Sequence, residues 1–141
     1  MSHAAEQQTS SWVGVVVAVV VLGYLGLELS ALHSQRYRAE PLFVHNEFVT
    51  ADQATRRCGN PGAEERQRFQ SNFEAVQRKA LAALQEAEPQ ATSKALAAEL
   101  DKRSQERISE VDAFIDANGC GHTDAWRWVK LHEVRARLNL R

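Results

Sequence analysis

The 141-residue sequence contains few of the features on which enzymes and metalloproteins depend. It has 2 cysteines, 3 prolines and 1 methionine. It contains no glycine-rich phosphate loop, no GxSxG or HExxH motif, and no pair of histidines four residues apart. The formal net charge of -1 provides no excess of basic residues for a nucleic-acid-binding face. These absences predict a protein that is not an enzyme, holds no cofactor or metal, shows no small-molecule substrate site and binds no nucleic acid.

Charge is also scarce at the start of the chain, where residues 1–32 contain only Glu6 and Glu28. Apart from Glu28, the segment 12–32 carries no charge and is rich in valine and leucine. A helix of this length spans roughly 30 Å, which is the thickness of the hydrocarbon core of a bilayer. The rest of the chain has too few large apolar residues to enclose such a helix. We therefore predict an N-terminal tail at 1–11 and a single transmembrane helix at 12–32.

A cleaved signal peptide is the main alternative for this segment. Signal peptides combine a basic start, an apolar stretch of roughly 7–15 residues and a cleavage site between small residues. Here no Lys or Arg precedes the apolar run, the run is longer, and Leu29-Ser30-Ala31 is a poor cleavage site. The sequence therefore favours an anchor that stays in the mature protein.

The residues after the anchor carry few helix signals. We predict an irregular connector at 33–49, because it contains Pro41 and only scattered apolar residues. A short helix is predicted to start at Thr50, since Thr50 and Gln53 have the spacing of a capping box. It should end near Cys58, before the next pair of turn-forming residues.

Two longer helices follow, and we predict that they form an antiparallel hairpin. The first begins at Asn60-Pro61, a favoured N-cap followed by a favoured first residue, and stops at Pro89. The second is capped by Thr92 or Ser93 and ends at Asn118-Gly119. Each has apolar residues at intervals of three and four, which is the pattern of one buried helix face. The stripes are Phe69, Phe73, Val76, Ala80, Leu84 and Ala87 in the first helix, and Leu96, Leu100, Ser104, Ile108, Val111 and Ile115 in the second, with Phe114 beside it.

The two cysteines occupy equivalent positions in this pattern. Cys58 precedes the first long helix, Cys120 follows the second, and Pro89 lies midway between them. In an antiparallel hairpin with arms of equal length, both cysteines reach the same end, as a disulfide requires. We predict a Cys58–Cys120 disulfide, which stabilises the fold by about 4 kcal/mol on the chain-entropy model.

Two indicators of membrane orientation disagree. Arg36 and Arg38 follow the anchor and no Lys or Arg precedes it, which favours a cytoplasmic C-terminal part. A disulfide instead indicates an oxidising compartment. Because the charge asymmetry rests on two residues, we give the disulfide more weight. The prediction is a single-pass inner-membrane protein whose helical domain, residues 50–141, lies in the periplasm.

A last helix is predicted from Thr123 or Asp124 to near Leu140. It carries Trp126 and Trp128, which we predict as possible contacts for a protein partner, since tryptophan is enriched where interfaces concentrate their binding energy. Its basic residues (Arg127, Lys130, Arg135, Arg137 and Arg141) are interpreted as a solvated helix end rather than a phosphate-binding site.

The fold predicted from the sequence is all-α, with a transmembrane helix followed by a disulfide-linked antiparallel hairpin and flanking short helices. The predicted function is that of an anchored interaction or accessory protein, which binds the lipid bilayer and a protein partner or a second copy of itself. The alternative is a membrane-tethered metal or redox sensor that uses Cys58, Cys120 and His122, with His45 or His132 as a further ligand.

Overall fold

The computed structural model describes residues 40–140, all of which belong to the unit Arg38–Arg141. Over this range the chain forms four α-helices and no strand, as the all-α prediction requires. The helices are α1 (residues 40–58), α2 (Ala63–Ala87), α3 (Ser93–Asn118) and α4 (Thr123–Ala136).

The predicted tail at 1–11 and the predicted transmembrane helix at 12–32 lie outside the described residues. Within residues 40–140, none of the helices combines the length and the apolar character that a membrane crossing requires.

The hairpin of α2 and α3 is confirmed, with the two helices joined by a short turn around Pro89. The Thr92 side chain accepts a hydrogen bond from the Ala95 N–H (3.2 Å) and caps α3, as predicted. At the other end of α3, Gly119 has a φ of 77°, and its N–H donates to the Ile115 carbonyl (2.7 Å). Glycine adopts this left-handed conformation without the steric cost of a Cβ.

The two predicted stripes meet each other near the turn, whereas farther from it each packs on α1 and α4, and the predicted stripe residue Ala87 is exposed. Near the turn, Ala80 and Leu84 of α2 pack against Leu96 and Leu100 of α3, and Leu42 of α1 adds to the contact. We call these residues the leucine cluster. Burial of each leucine contributes about 1.5–3 kcal/mol, so this cluster is a main source of stability at the turn end.

The predicted start of α2 at Asn60-Pro61 is wrong by two residues, because the helix begins at Ala63 with Gly62 as its N-cap. Gly59 still bonds to the end of α1, because its N–H donates to the Thr55 carbonyl (2.8 Å). A Cβ at Gly59 would lie 2.9 Å from Thr55 Cγ2, so this close approach requires glycine. Asn60 and Pro61 are therefore used to turn the chain into α2.

The predicted irregular connector is wrong for residues 40–49, which belong to α1, and the predicted helix start at Thr50 is wrong as well. Thr50 lies inside the helix, where its hydroxyl donates to the Asn46 carbonyl (2.7 Å) and accepts from Arg107 Nε (2.7 Å). A threonine hydroxyl that bonds to the carbonyl four residues earlier is a recognised feature of helix interiors.

Burial explains why α1 is helical despite its weak local signals. Most of the circumference of α1 between residues 45 and 55 is enclosed by the other helices, and packing rather than propensity supplies most helical stability in proteins. The enclosed side chains are His45, Phe48, Val49, Thr50, Ala51, Ala54 and Thr55.

The core lies along α1, which contributes to each of its three parts. Besides the leucine cluster, an aromatic part joins Phe48 and Phe69, whose ring centroids are 5.1 Å apart, and includes Ala136 of α4. A third part joins Ala54 of α1, Val111 and Ile115 of α3, and Ala125 of α4. The described residues are therefore a four-helix arrangement with α1 in contact with all three other helices.

The C-terminal end of α4 is fixed by polar contacts rather than by a stripe of apolar residues. The buried Asn72 amide donates to the carbonyls of Arg135 (2.9 Å) and Leu138 (2.8 Å), and Arg135 forms an ion pair with Glu47 of α1. We call Glu47, Asn72 and Arg135 the polar latch. Since Asn72 binds the chain at this point, α4 ends at Ala136 and not near Leu140 as predicted.

Candidate functional site

The predicted disulfide is confirmed, since Cys58 and Cys120 are bonded with their Cα atoms 5.4 Å apart. Cys58 packs beside the Ala54, Val111 and Ile115 part of the core, whereas Cys120 lies in the exposed turn between α3 and α4. The bond therefore closes the end of the hairpin opposite the leucine cluster, at a place that solvent can reach.

Ion pairs join α1 and α3 at the same end. Arg57 donates to Asp116 (2.6 Å) and to Asp112 (2.8 Å), and these contacts, led by the bond to Asp116, raise the pKa of Arg57. The Gln53 amide donates to Asp112 (2.7 Å), and together with Arg57 it lowers the pKa of that carboxyl. The pairs stay ionised at neutral pH, but they are exposed and salt weakens them.

The residues proposed for a metal site are engaged in other contacts. Both sulfurs are joined to each other, and His122 Nδ1 accepts from the Asp124 N–H (3.2 Å) as the N-cap of α4. His45 is buried against Phe73, with ring centroids 5.5 Å apart. Across residues 40–140 no three His, Cys, Asp or Glu side chains are grouped so as to hold a metal ion.

The two tryptophans predicted as partner contacts have different surroundings. Trp128 is half-buried, packs edge-to-face on Phe114 (4.8 Å between centroids) and lies beneath the Arg107 guanidinium. Trp126 is 57% exposed, and the Lys130 ammonium lies 5.8 Å from its ring centroid. Trp126 is therefore available to a partner, whereas Trp128 supports the packing of α4 on α3.

Further apolar side chains extend the surface that Trp126 begins. Val134 is 56% exposed, and Leu138 just beyond the helix end is partly exposed. Trp126, Lys130 and Val134 recur every four residues, which places them along one side of α4, and Leu138 follows four residues later beyond the helix end. We call Trp126, Lys130, Val134 and Leu138 the α4 stripe.

A groove between α1, α3 and α4 has Phe43 at its edge, with 64% of that residue exposed. Its volume is about 580 Å³, and its apolar surface includes Trp128 and Leu131. Its charged rim is already neutralised, since Arg107 bonds to Glu110 (2.8 Å) and Arg103 to Glu99 (2.7 Å). The groove can therefore take up an apolar side chain without leaving a rim charge unpaired.

The basic residues of α4 also have acidic partners. Lys130 bonds to Glu133 (3.0 Å), Arg137 contacts the same carboxylate, and Arg127 lies 3.5 Å from Asp124. The hydrogen bond from Lys130 is the main cause of the lowered pKa of Glu133. This arrangement fits the interpretation of a solvated helix end better than that of a phosphate-binding site.

Sequence reasoning missed Phe43, Val134 and the groove. Phe43 lies in the segment 33–49, whose residues carry few helix signals, so the sequence assigns it to no helix face. The spacing of Trp126, Val134 and Leu138 at multiples of four was the available signal for the α4 stripe.

Comparison with known proteins gives no further assignment, because no family model, curated protein or solved structure matches this chain significantly.

Proposed function

We propose that this protein is a single-pass membrane-anchored interaction protein, with a periplasmic helical bundle that binds a protein partner and performs no catalysis. The observation that carries the proposal is the group of exposed apolar residues Phe43, Trp126, Val134 and Leu138. Large hydrophobic side chains that are exposed together mark interaction sites on soluble surfaces. Here Trp126 and Val134 lie on α4, and Leu138 follows just beyond its end.

The rigidity of the bundle supports the same proposal. The α4 stripe is presented by a helix that a disulfide joins near its start and the polar latch holds at its end. A surface held in this way loses little conformational entropy when it binds. The disulfide also supports an oxidising compartment, and the apolar segment 12–32 supports the anchor.

Site-specific photo-crosslinking in intact membranes tests the partner surface. A benzoylphenylalanine residue at Val134 should give a discrete product with one partner or with a second copy of the chain. The matched control is the same residue at Gln77, an exposed position on α2, where no product is expected. The proposal is wrong if Val134 gives no more product than Gln77, or if Trp126→Ala leaves the Val134 product unchanged.

Reporter fusions test the anchor and its orientation independently of the partner. Alkaline phosphatase after Arg141 should be active and green fluorescent protein at the same position should be dark, because the C-terminus is proposed to be periplasmic. The opposite result would place the bundle in the cytosol. It would contradict the proposed orientation but not the proposed interaction surface, which the cross-linking experiment tests.

A redox sensor is the second candidate function, and the exposure of Cys120 favours it because a reductant can reach the bond. It predicts that reduction changes the Val134 cross-link reversibly while the bundle stays folded. Loss of the cross-link only on unfolding would exclude a sensing role. A metal sensor would instead require stoichiometric zinc in the reduced protein, lost on Cys58→Ser or His122→Ala.

A further inference from the structure

A second open pocket lies between α1 and α2, with His132 of α4 contributing to its wall. Its volume is about 450 Å³, which is within the range of small-molecule sites. Its polar lining residues include Thr55, Arg56, Arg66, Gln67 and Gln70. We call this the α1–α2 pocket. None of its residues belongs to the α4 stripe or to the groove beside Phe43.

Thr55 is the unusual residue of this pocket. It is only 4% exposed, and its buried hydroxyl oxygen has no hydrogen-bond partner among residues 40–140. Its methyl group faces the backbone at Gly59, so the side chain is held in place by close packing. A buried polar atom without a protein partner is rare, and it is costly unless something else supplies the bond.

His132 is held rigidly in the wall of the pocket. It is 2% exposed, its ring lies on the Phe69 ring with centroids 3.9 Å apart, and its Nδ1 is 2.7 Å from Glu65 Oε1. A carboxylate on one ring nitrogen fixes the orientation of an imidazole, which leaves the other nitrogen for a different partner. His132 therefore acts as a positioned polar group and not only as packing.

Among the described residues, the pocket lining holds two arginines and one carboxylate, Asp52, which is paired with Arg56 at 2.8 Å; the Glu65 carboxylate is adjacent, bonded to His132. Arg66 donates one N–H to the Pro61 carbonyl (2.6 Å), which orients the guanidinium without neutralising its charge. A guanidinium has five donors, so Arg66 keeps donors for a second acceptor. The amides of Gln67 and Gln70 add neutral donors on the same helix.

We propose that the α1–α2 pocket binds a small molecule through a carboxylate or phosphate group, with Arg66 as the charged contact and Thr55 as a hydrogen-bonding contact. Oxyanions pair with guanidinium groups through short, charge-assisted hydrogen bonds. Pro61, which also lines the pocket and is partly exposed, offers apolar surface for the remainder of the ligand. The partner-binding function of the α4 stripe does not depend on this site.

Anion titration of the full chain in neutral detergent micelles tests the proposal, with inorganic phosphate in one arm and succinate in the other at constant ionic strength. The His132 ring signals in a ¹³C-histidine spectrum should shift saturably with at least one of the two anions. Arg66→Gln should weaken this binding tenfold or more, because a charge-assisted bond is lost. Arg78→Gln, which removes an exposed arginine farther along α2, is the matched control and should bind normally.

Thr55→Val separates a ligand contact from a structural role. The substitution keeps the shape of the side chain and removes the buried hydroxyl, so it should raise the Tm in the absence of anion and weaken anion binding. The proposal is overturned if neither anion gives a saturable shift, or if Arg66→Gln and Thr55→Val both bind as the wild type does. The proposal is also overturned if Arg78→Gln weakens anion binding as much as Arg66→Gln does, because binding would then reflect surface charge alone.

Discussion

Helices α3 and α4 are held against α1 and α2 in different ways. α3 has a covalent connection beside each end, the turn around Pro89 and the disulfide at Cys120, and between them it packs mainly through the leucine cluster and other aliphatic residues. α4 begins just after that disulfide, and its far end is fixed by Asn72, Arg135 and Glu47.

The difference shows two ways of specifying where a helix sits. Apolar contacts are strong but not directional, so α3 is positioned by where the chain connects it and by its polar bonds to α1, from Arg107 to Thr50 and from Arg57 to Asp112. Hydrogen bonds to particular carbonyls are weaker in net terms but fix one register, so the polar latch positions α4 without a covalent bond at its end. The helix that presents the exposed stripe is the one whose end is set by directional bonds.

The largest effect is expected from removing the covalent connection. The double substitution Cys58→Ser, Cys120→Ser should lower the free energy of unfolding by about 4 kcal/mol, since the unfolded chain regains the entropy that the closed loop had removed. Urea unfolding of the full chain in detergent measures this change. Reduced wild-type protein is the control, and its urea midpoint should equal that of the double variant. An unchanged midpoint would show that packing alone positions α3.

The second largest loss of unfolding free energy is expected from removing a side chain in the leucine cluster. Leu100→Ala deletes a side chain that is almost fully enclosed, and it should cost about 3 kcal/mol through lost burial and the cavity that remains. Leu138→Ala is the matched control at a partly exposed position and should cost under about 1 kcal/mol. Equal losses in the two variants would contradict the assignment of the core.

The polar latch should give a smaller and more local effect. Asn72→Ala removes the side-chain donor that the Arg135 and Leu138 carbonyls share, although the Arg135 carbonyl keeps the Leu138 N–H at 3.4 Å, and it should cost about 2 kcal/mol. In this variant, exchange of backbone amide hydrogens should become faster in the last turn of α4 than in α3. Asn118→Ala, which removes an exposed amide bonded within its own helix, should change stability by only about 0.5 kcal/mol. A uniform increase in exchange across all four helices would count against a local latch.

The smallest effect concerns His45, which is buried and whose Nδ1 has no hydrogen-bond partner within residues 40–140. Burial lowers the pKa of His45 below 6.5, although Asp101 partly opposes the shift. The unfolded chain then binds the proton more readily, so stability is lost as the pH falls below 6.5 toward the lowered pKa. The slope for one proton is at most about 1.4 kcal/mol per pH unit.

Unfolding free energies measured between pH 7 and pH 5 test this expectation. His45→Leu should flatten the pH dependence in this range relative to the wild type, because the group whose pKa is lower in the folded state than in the unfolded chain is gone. Parallel curves for the two proteins would show that His45 carries no part of the pH dependence.

The sequence was sufficient to predict the hairpin and its disulfide. The two stripes are long and broken only by Ser104 in α3, Thr92 and Gly119 act locally as caps, and the cysteines lie symmetrically about Pro89. These signals are short-range or depend only on chain length, so no knowledge of the packed structure was needed to interpret them.

α1 and the polar latch could not be predicted in the same way. The helix from residue 40 depends on enclosure by three other helices, and the hydroxyl of Thr50 takes part in bonds inside it rather than in a cap. The contacts of Asn72 reach residues more than 60 positions along the chain. The pocket around Thr55 forms only when α1, α2 and α4 pack together, so it could not be predicted from the sequence.

The disulfide also determines how the bundle responds to mechanical load. If tension is applied between residue 40 and residue 140, the shortest covalent route runs along α1, crosses from Cys58 to Cys120 and continues into α4. Residues 59–119 are bypassed, so α2 and α3 cannot be extended while the sulfur bridge is intact. A partner that pulls on the C-terminal helix would therefore strain the contacts of α1 and α4 first, and the hairpin would remain as a folded support beside them.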